Sequence, residues 1–175
     1  MKMVVALIIP ILCCFFGTLS SASESVRFLG SCDYYDSLSS ELGCSSSGYL
    51  QSFGAHYCRR FDQEAARFSE RGREALDAIR LCLQQSLENV SKLTCGNVLA
   101  VAAESHGPCY RQGHFCEMNI WDKVALMGIV FPALLDPTLN RAIRKIESDC
   151  LSEDVVRGQN PDSVQQTIKR HSDEL

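Results

Sequence analysis

Apolar residues return at helical spacing along most of this chain, and the two-residue alternation of a half-buried strand is almost absent. Residues 32–42 form a short candidate helix that Gly43 stops. The run Ser45-Ser46-Ser47-Gly48 is a linker. Between residues 49 and 68, Phe53, Tyr57, Phe61, Ala65 and Phe68 mark one helical stripe. Ser69 reads as the N-cap of a further helix, with Leu76, Ile79, Cys82, Leu83 and Leu87 on its apolar face and Arg71, Arg73, Glu74 and Asp77 toward water. Thr94 or Ser91 caps the next helix, which runs through Val98, Leu99, Ala102 and Ala103. Gly107-Pro108 is expected to interrupt it, because proline has no amide to give and fits the first residue of a new turn.

Residues 118–135 are the most apolar stretch outside the N-terminal segment and carry Ile120, Trp121, Val124, Leu126, Ile129 and Phe131. They predict a buried core helix that ends before Pro132 or Pro137. Asp136-Pro137 then pairs an N-cap with a first-turn proline, and Leu139, Ile143, Ile146 and Cys150 line one face of the helix that follows. After Cys150 the sequence turns polar, which predicts a loosely ordered tail with a short helix over 163–169. The expected fold class is all-α, a small disulfide-crosslinked helical domain.

The two ends carry addresses rather than structure. Lys2, an apolar run over residues 4–16, and the small residues Ser20 and Ala22 make a signal peptide over 1–22, cut before Ser23. That run is too short to span a bilayer comfortably, so no stable membrane insertion is expected. The chain ends Ser172-Asp173-Glu174-Leu175, a close variant of the tetrapeptide that the endoplasmic-reticulum retrieval receptor reads. The dibasic pair Lys169-Arg170 directly precedes it, where processing would remove the address. The expected organisation is a signal peptide over 1–22, a helical domain over 23–156 and a polar tail over 157–175. The endoplasmic-reticulum lumen is the expected compartment, with secretion as the alternative.

Ten cysteines change the picture further. Cys13 and Cys14 leave with the signal peptide, and Cys32, Cys44, Cys58, Cys82, Cys95, Cys109, Cys116 and Cys150 remain. In an oxidising lumen that even set reads as a disulfide framework. Eight cysteines admit on the order of a hundred connectivities, and spacing alone selects none. His106, Cys109, His114 and Cys116 are zinc-ligand types, but oxidised thiols are not available to a metal, so no metal site is expected. The domain holds no Cys-x-x-Cys, no EF-hand loop and no triad or paired-carboxylate pattern, so no catalytic residue, cofactor or enzyme activity is expected. Loss of Lys2 takes 17 basic residues to 16 against 21 acidic ones, a net charge of about −5. Arg59-Arg60 and the Arg141, Arg144, Lys145 group are small and flanked by acids, which argues against a nucleic-acid partner. The one sequon is Asn89-Val90-Ser91, and Asn89 is expected to carry a glycan near a helix end.

The gaps Cys58-x23-Cys82, Cys95-x13-Cys109 and Cys109-x6-Cys116, with a long step to Cys150, resemble the stanniocalcin family of glycoprotein hormones. So do the blocks YCRRFDQEAARFSERGREALDAIRLC and CGNVLAVAAESHGPCYRQGHFC, and the acidic CLSEDVV at Cys150. The likeness covers roughly residues 44–156. It implies the pairs Cys82–Cys109 and Cys116–Cys150, a link from Cys95 back to Cys44, and Cys32 left for Cys58. No cysteine follows Cys150 to match the family's intersubunit bridge, so a covalent dimer is not expected, whereas a non-covalent homodimer through a helix face stays open. The resemblance implies a regulatory role in calcium and phosphate homeostasis, exercised by binding a protein partner or receptor. The alternative from another class is a luminal folding factor or co-chaperone.

Overall fold

The computed structural model describes residues 23–135 and 137–156. Within them the chain forms six α-helices and no strand: α1 Asp33–Leu42, α2 His56–Gln63, α3 Glu70–Glu88, α4 Val98–Gln112, α5 Ile120–Val130 and α6 Pro137–Val156. A π-helical turn, Leu50–Ala55, runs directly into α2. Short 3-10 segments cover Glu24–Phe28, Ala65–Arg67, Phe115–Glu117 and Phe131–Leu135. The all-α class read from periodicity therefore holds. The signal peptide, Asp136, the helix expected over 163–169 and the SDEL tail lie outside the described residues.

Most helix ends are where local chemistry puts them. Gly43 adopts φ 66 after α1, the left-handed conformation that favours glycine at a helix terminus. Ser69 accepts from the Gly72 amide at 3.1 Å and starts α3. Before α4, Thr94 and Asn97 bond reciprocally, the Asn97 amide to Thr94 Oγ1 and the Thr94 amide to Asn97 Oδ1. Thr94 is thus the residue that organises this start, and Ser91 is not, although regular helix begins only at Val98.

Two expectations are corrected. Gly107-Pro108 does not interrupt α4, which continues to Gln112. Pro108 removes one backbone bond, and the next residue, Cys109, is crosslinked to Cys82 on α3, so the second half is held against its neighbour. Nor is the 118–135 stretch a wholly buried helix. Leu126 and Ile129 are buried, but Trp121 is 68% exposed and Leu135 83% exposed. Among the described residues, the elements cover one side of α5 and leave the other exposed.

The packing has two centres. Tyr34, Leu38, Leu50, Leu87 and Val98 gather one around α1 and the adjoining ends of α3 and α4. Phe68, Ile79, Phe115, Leu126, Ile129 and Ile146 gather the other around α5 and α6. Each fully buried aliphatic or aromatic side chain contributes about 1.5–3 kcal/mol relative to exposure. α3 and α4 lie along each other and bridge the two centres.

Four disulfides stitch this frame: Cys32–Cys58, Cys44–Cys95, Cys82–Cys109 and Cys116–Cys150. They are the same four pairs that the stanniocalcin resemblance implies. Their Cα separations, 5.3 to 5.6 Å, are ordinary for disulfides. They tie α1 to α2, the end of α1 to the loop before α4, α3 to α4, and the Phe115–Glu117 segment to α6.

Buried polar groups join the rest. Asp122, 2% exposed, accepts from the Ser69 amide at 2.8 Å, the Ser69 hydroxyl at 2.6 Å and Asn119 Nδ2 at 2.6 Å. Its own amide donates to Asn119 Oδ1 at 2.9 Å. One carboxylate thus serves the N-termini of α3 and α5 together, where the helix dipoles favour negative charge. Gln84, fully buried on α3, accepts from the Gly30 amide at 2.6 Å and donates to the Ser31 carbonyl at 2.8 Å. Tyr34 donates to the Gln84 carbonyl at 3.0 Å.

Candidate functional site: an exposed apolar face and an aromatic cavity

The eight cysteines are all consumed in crosslinks. The zinc-type residues His106, Cys109, His114 and Cys116 do not form one site: Cys109 pairs with Cys82, Cys116 pairs with Cys150, and His114 sits on the surface beside Glu117. The cluster Cys32, Cys58 and Asp62 brings ligand types within 4.8 Å, but its two sulfurs are bonded to each other. Disulfide sulfur carries no thiolate to offer a metal. Asp149, on the acidic end of α6, faces Arg111 and Lys145. Arg59 pairs with Asp36 and Arg60 with Glu64, so these basic residues are neutralised locally, as their acidic flanks predict. Asn89 is the exposed C-cap residue of α3. Among the described residues, no helix is long and apolar enough to cross a membrane.

The first feature left over is the outer face of α5. Ile120, Trp121 and Val124 share it at i, i+1 and i+4, and Phe131 and Leu135 continue it along the following 3-10 segment. All five are more than half exposed. Single apolar residues on a surface are ordinary, but five along one helical face, a tryptophan among them, make a candidate interaction surface.

The second feature is a cavity of about 90 Å³ between α1, the π turn, α2, α3 and α4, with Val130, Ala133 and Ile143 adding to its wall from α5, the 3-10 segment after it and α6. Tyr49, Phe53 and Tyr57 form a column on one wall, with ring centroids 5.2 and 4.7 Å apart. The π turn widens the helix there, which brings residues four apart nearly above one another. Tyr35 closes the cavity from α1, its ring against the backbone of Gly54, where a Cβ would come within 2.6 Å of it. That close approach requires glycine. Tyr110 and His106 face in from α4, their rings stacked 5.8 Å apart.

The polar groups on this wall sit largely among apolar neighbours. Burial pushes the hydroxyls of Tyr35 and Tyr110 up to about 12, and that of Tyr49 well up. Burial holds His106 below the usual histidine range, so its ring is neutral. His106 Nδ1 lies 2.5 Å from the Ala102 carbonyl, which fixes the proton on that nitrogen and leaves Nε2 as an acceptor. Arg80 reaches the edge but is held by Asp62 and Asp77.

Periodicity had placed Phe53, Tyr57 and Phe61 on a core face, and it missed the cavity that they line. The available signal was aromatic spacing: Tyr49, Phe53, Tyr57 and Phe61 recur every four residues, closer to a widened turn than to a regular helix. Comparison of the chain with protein-family models, with curated proteins and with solved structures returned no match. The likeness to stanniocalcins is therefore carried by the cysteine gaps and the blocks between them.

Proposed function

We propose that this chain is a stanniocalcin-like regulatory glycoprotein of the secretory pathway, acting in calcium and phosphate homeostasis by binding a protein partner rather than by turning over a substrate. The observation that carries the reading is the uncovered α5 face, five apolar side chains held on a scaffold whose thiols are all committed to crosslinks. Rigid presentation lowers the ordering cost of association, and an exposed tryptophan is a typical anchor of binding energy. The Ser172-Asp173-Glu174-Leu175 tail supports retrieval to the lumen that stores calcium, and exposure of Asn89 supports a glycan there.

The test is complementation. Cells lacking the protein should show altered filling of the luminal calcium store. Wild-type protein should restore it, and Trp121→Asp/Val124→Asp, which changes only exposed positions, should not. Unchanged store filling in the depleted cells would reject the reading. The folding-factor alternative draws on the same face and predicts a different result: suppressed aggregation of an unrelated unfolded protein, lost in the double variant.

A further inference from the structure

We propose that the aromatic cavity is a binding site for a small uncharged molecule, an apolar body the size of one ring carrying a single hydroxyl. The inference goes beyond the partner-binding reading and uses a different surface.

Three observations converge. The wall is mostly hydrocarbon and aromatic, with Phe53, Tyr57, Leu76, Ile79 and Leu83 among its members, so an apolar body gains by leaving water. Three polar groups among its lining residues are unspent. Among the described residues, no side chain or backbone group bonds the hydroxyl of Tyr49 or Tyr110, or His106 Nε2. Every side-chain polar atom that is closed to water does have a partner, so these three face space that a small molecule can reach. The hydroxyls are donors and the nitrogen an acceptor, a set that one hydroxyl can meet by accepting from a tyrosine and donating to His106. Finally, the site is electrically quiet. Arg80, the one cation on its lining, is paired with Asp62 and Asp77, and no carboxylate lines it. A charged ligand would lose its hydration with no free counter-charge to replace it.

Size sets the ligand. The 90 Å³ available is somewhat smaller than the roughly 150 Å³ at which an engineered apolar cavity takes up benzene. It is partly open, and a ring with one polar end suits that volume better than a long chain. The π turn that shapes one wall is consistent with use, since such turns occur disproportionately at functional sites.

The experiment titrates the full disulfide-bonded protein with phenol, benzene and benzoate, following aromatic ring proton resonances. Phenol should saturate at or below about 1 mM, benzene should bind roughly tenfold more weakly, and benzoate should not bind. Contacts from bound phenol should appear on Tyr110 and Phe53. Tyr49→Phe/Tyr110→Phe, which keeps ring volume, should weaken phenol binding severalfold, leaving it only the bond to His106, while leaving benzene unchanged. Leu83→Phe, which fills the space, should abolish both. Absence of saturable phenol binding, equal affinity for phenol and benzene in the wild type, or full phenol affinity in the double phenylalanine variant would each overturn the proposal.

Discussion

At the scale of single residues, the fold depends on a few polar side chains that hydropathy alone would have put outside. Asp122 serves two helix starts at once, and Gly72 sits against its carboxylate, where a Cβ would lie 2.5 Å from Cγ. Three hydrogen bonds pin that carboxylate, so it cannot move aside cheaply. Gly72→Ala should therefore destabilise the protein, although glycine to alanine in a helix ordinarily gains about 1 kcal/mol. Asp122→Ala should cost about 2–3 kcal/mol, because it strips a charged acceptor from several buried donors. Denaturant midpoints measure both, and a Gly72→Ala protein as stable as the wild type would show that the two groups do not press on each other. Ser69 as a cap was legible in the sequence, since its chemistry acts over three residues. Asp122 was not, because two of its three donors come from Ser69, some fifty positions earlier.

His106 gives the pH dependence at the same scale. Burial lowers its affinity for a proton in the folded state, whereas the unfolded chain titrates near the usual 6.5 or so. The unfolded state therefore takes up the proton first as pH falls. Stability from this group is complete above the ordinary histidine range and is lost on acidification toward the lower folded value. Denaturant midpoints at pH 7.5 and 5.5 should drop further for the wild type than for His106→Gln. Equal drops would mean that the ring is solvated after all.

At the scale of elements, two helices depart from what their own residues predict, and in both cases a neighbour decides. α4 carries Pro108 in its interior, where proline costs up to about 3 kcal/mol relative to alanine. The disulfide to α3 holds the turn regardless. Pro108→Ala should raise the thermal midpoint, with a gain of about 1–3 kcal/mol, by returning an amide to the Glu104 carbonyl. A lower midpoint would mean that the proline shapes α4 in a way the packing needs. α5 is the converse case. Its composition is apolar nearly all round, and periodicity therefore predicts complete burial. Burial depends on how many elements the chain can bring to it, and among the described residues α5 is covered on one side.

At the scale of the whole molecule, the crosslinks add to two packing centres that share the chain between them. Loop length ranks them weakly. The 51-residue separation of Cys44–Cys95 is about twice the 27 of Cys82–Cys109, which in chain-entropy terms is worth only about 0.6 kcal/mol. Burial should decide instead. Cys109 is 1% exposed and Cys82 is buried beside it, whereas Cys95 lies at the surface. Cys82→Ala/Cys109→Ala should thus cost more than Cys44→Ala/Cys95→Ala, within the 2–5 kcal/mol usual for small secreted domains, because it also opens a cavity in the core. Cys44–Cys95 should also be the first bridge cut by a mild thiol reductant, as followed by peptide mapping. The reverse order in both measurements would put loop closure ahead of packing.

The amino-acid sequence by itself determined the all-helical class, most of the helix starts and stops, and the commitment of the cysteines to a crosslinked frame. Each of these follows from chemistry that acts within a few positions along the chain, or from a simple count of thiols. Only the tertiary structure decided which face of α5 stays uncovered, that α4 survives its proline, and that aromatic rings from four separate segments enclose a space instead of filling it. Those outcomes depend on which distant elements come to lie side by side, and local periodicity cannot register a neighbour that the chain supplies from far away.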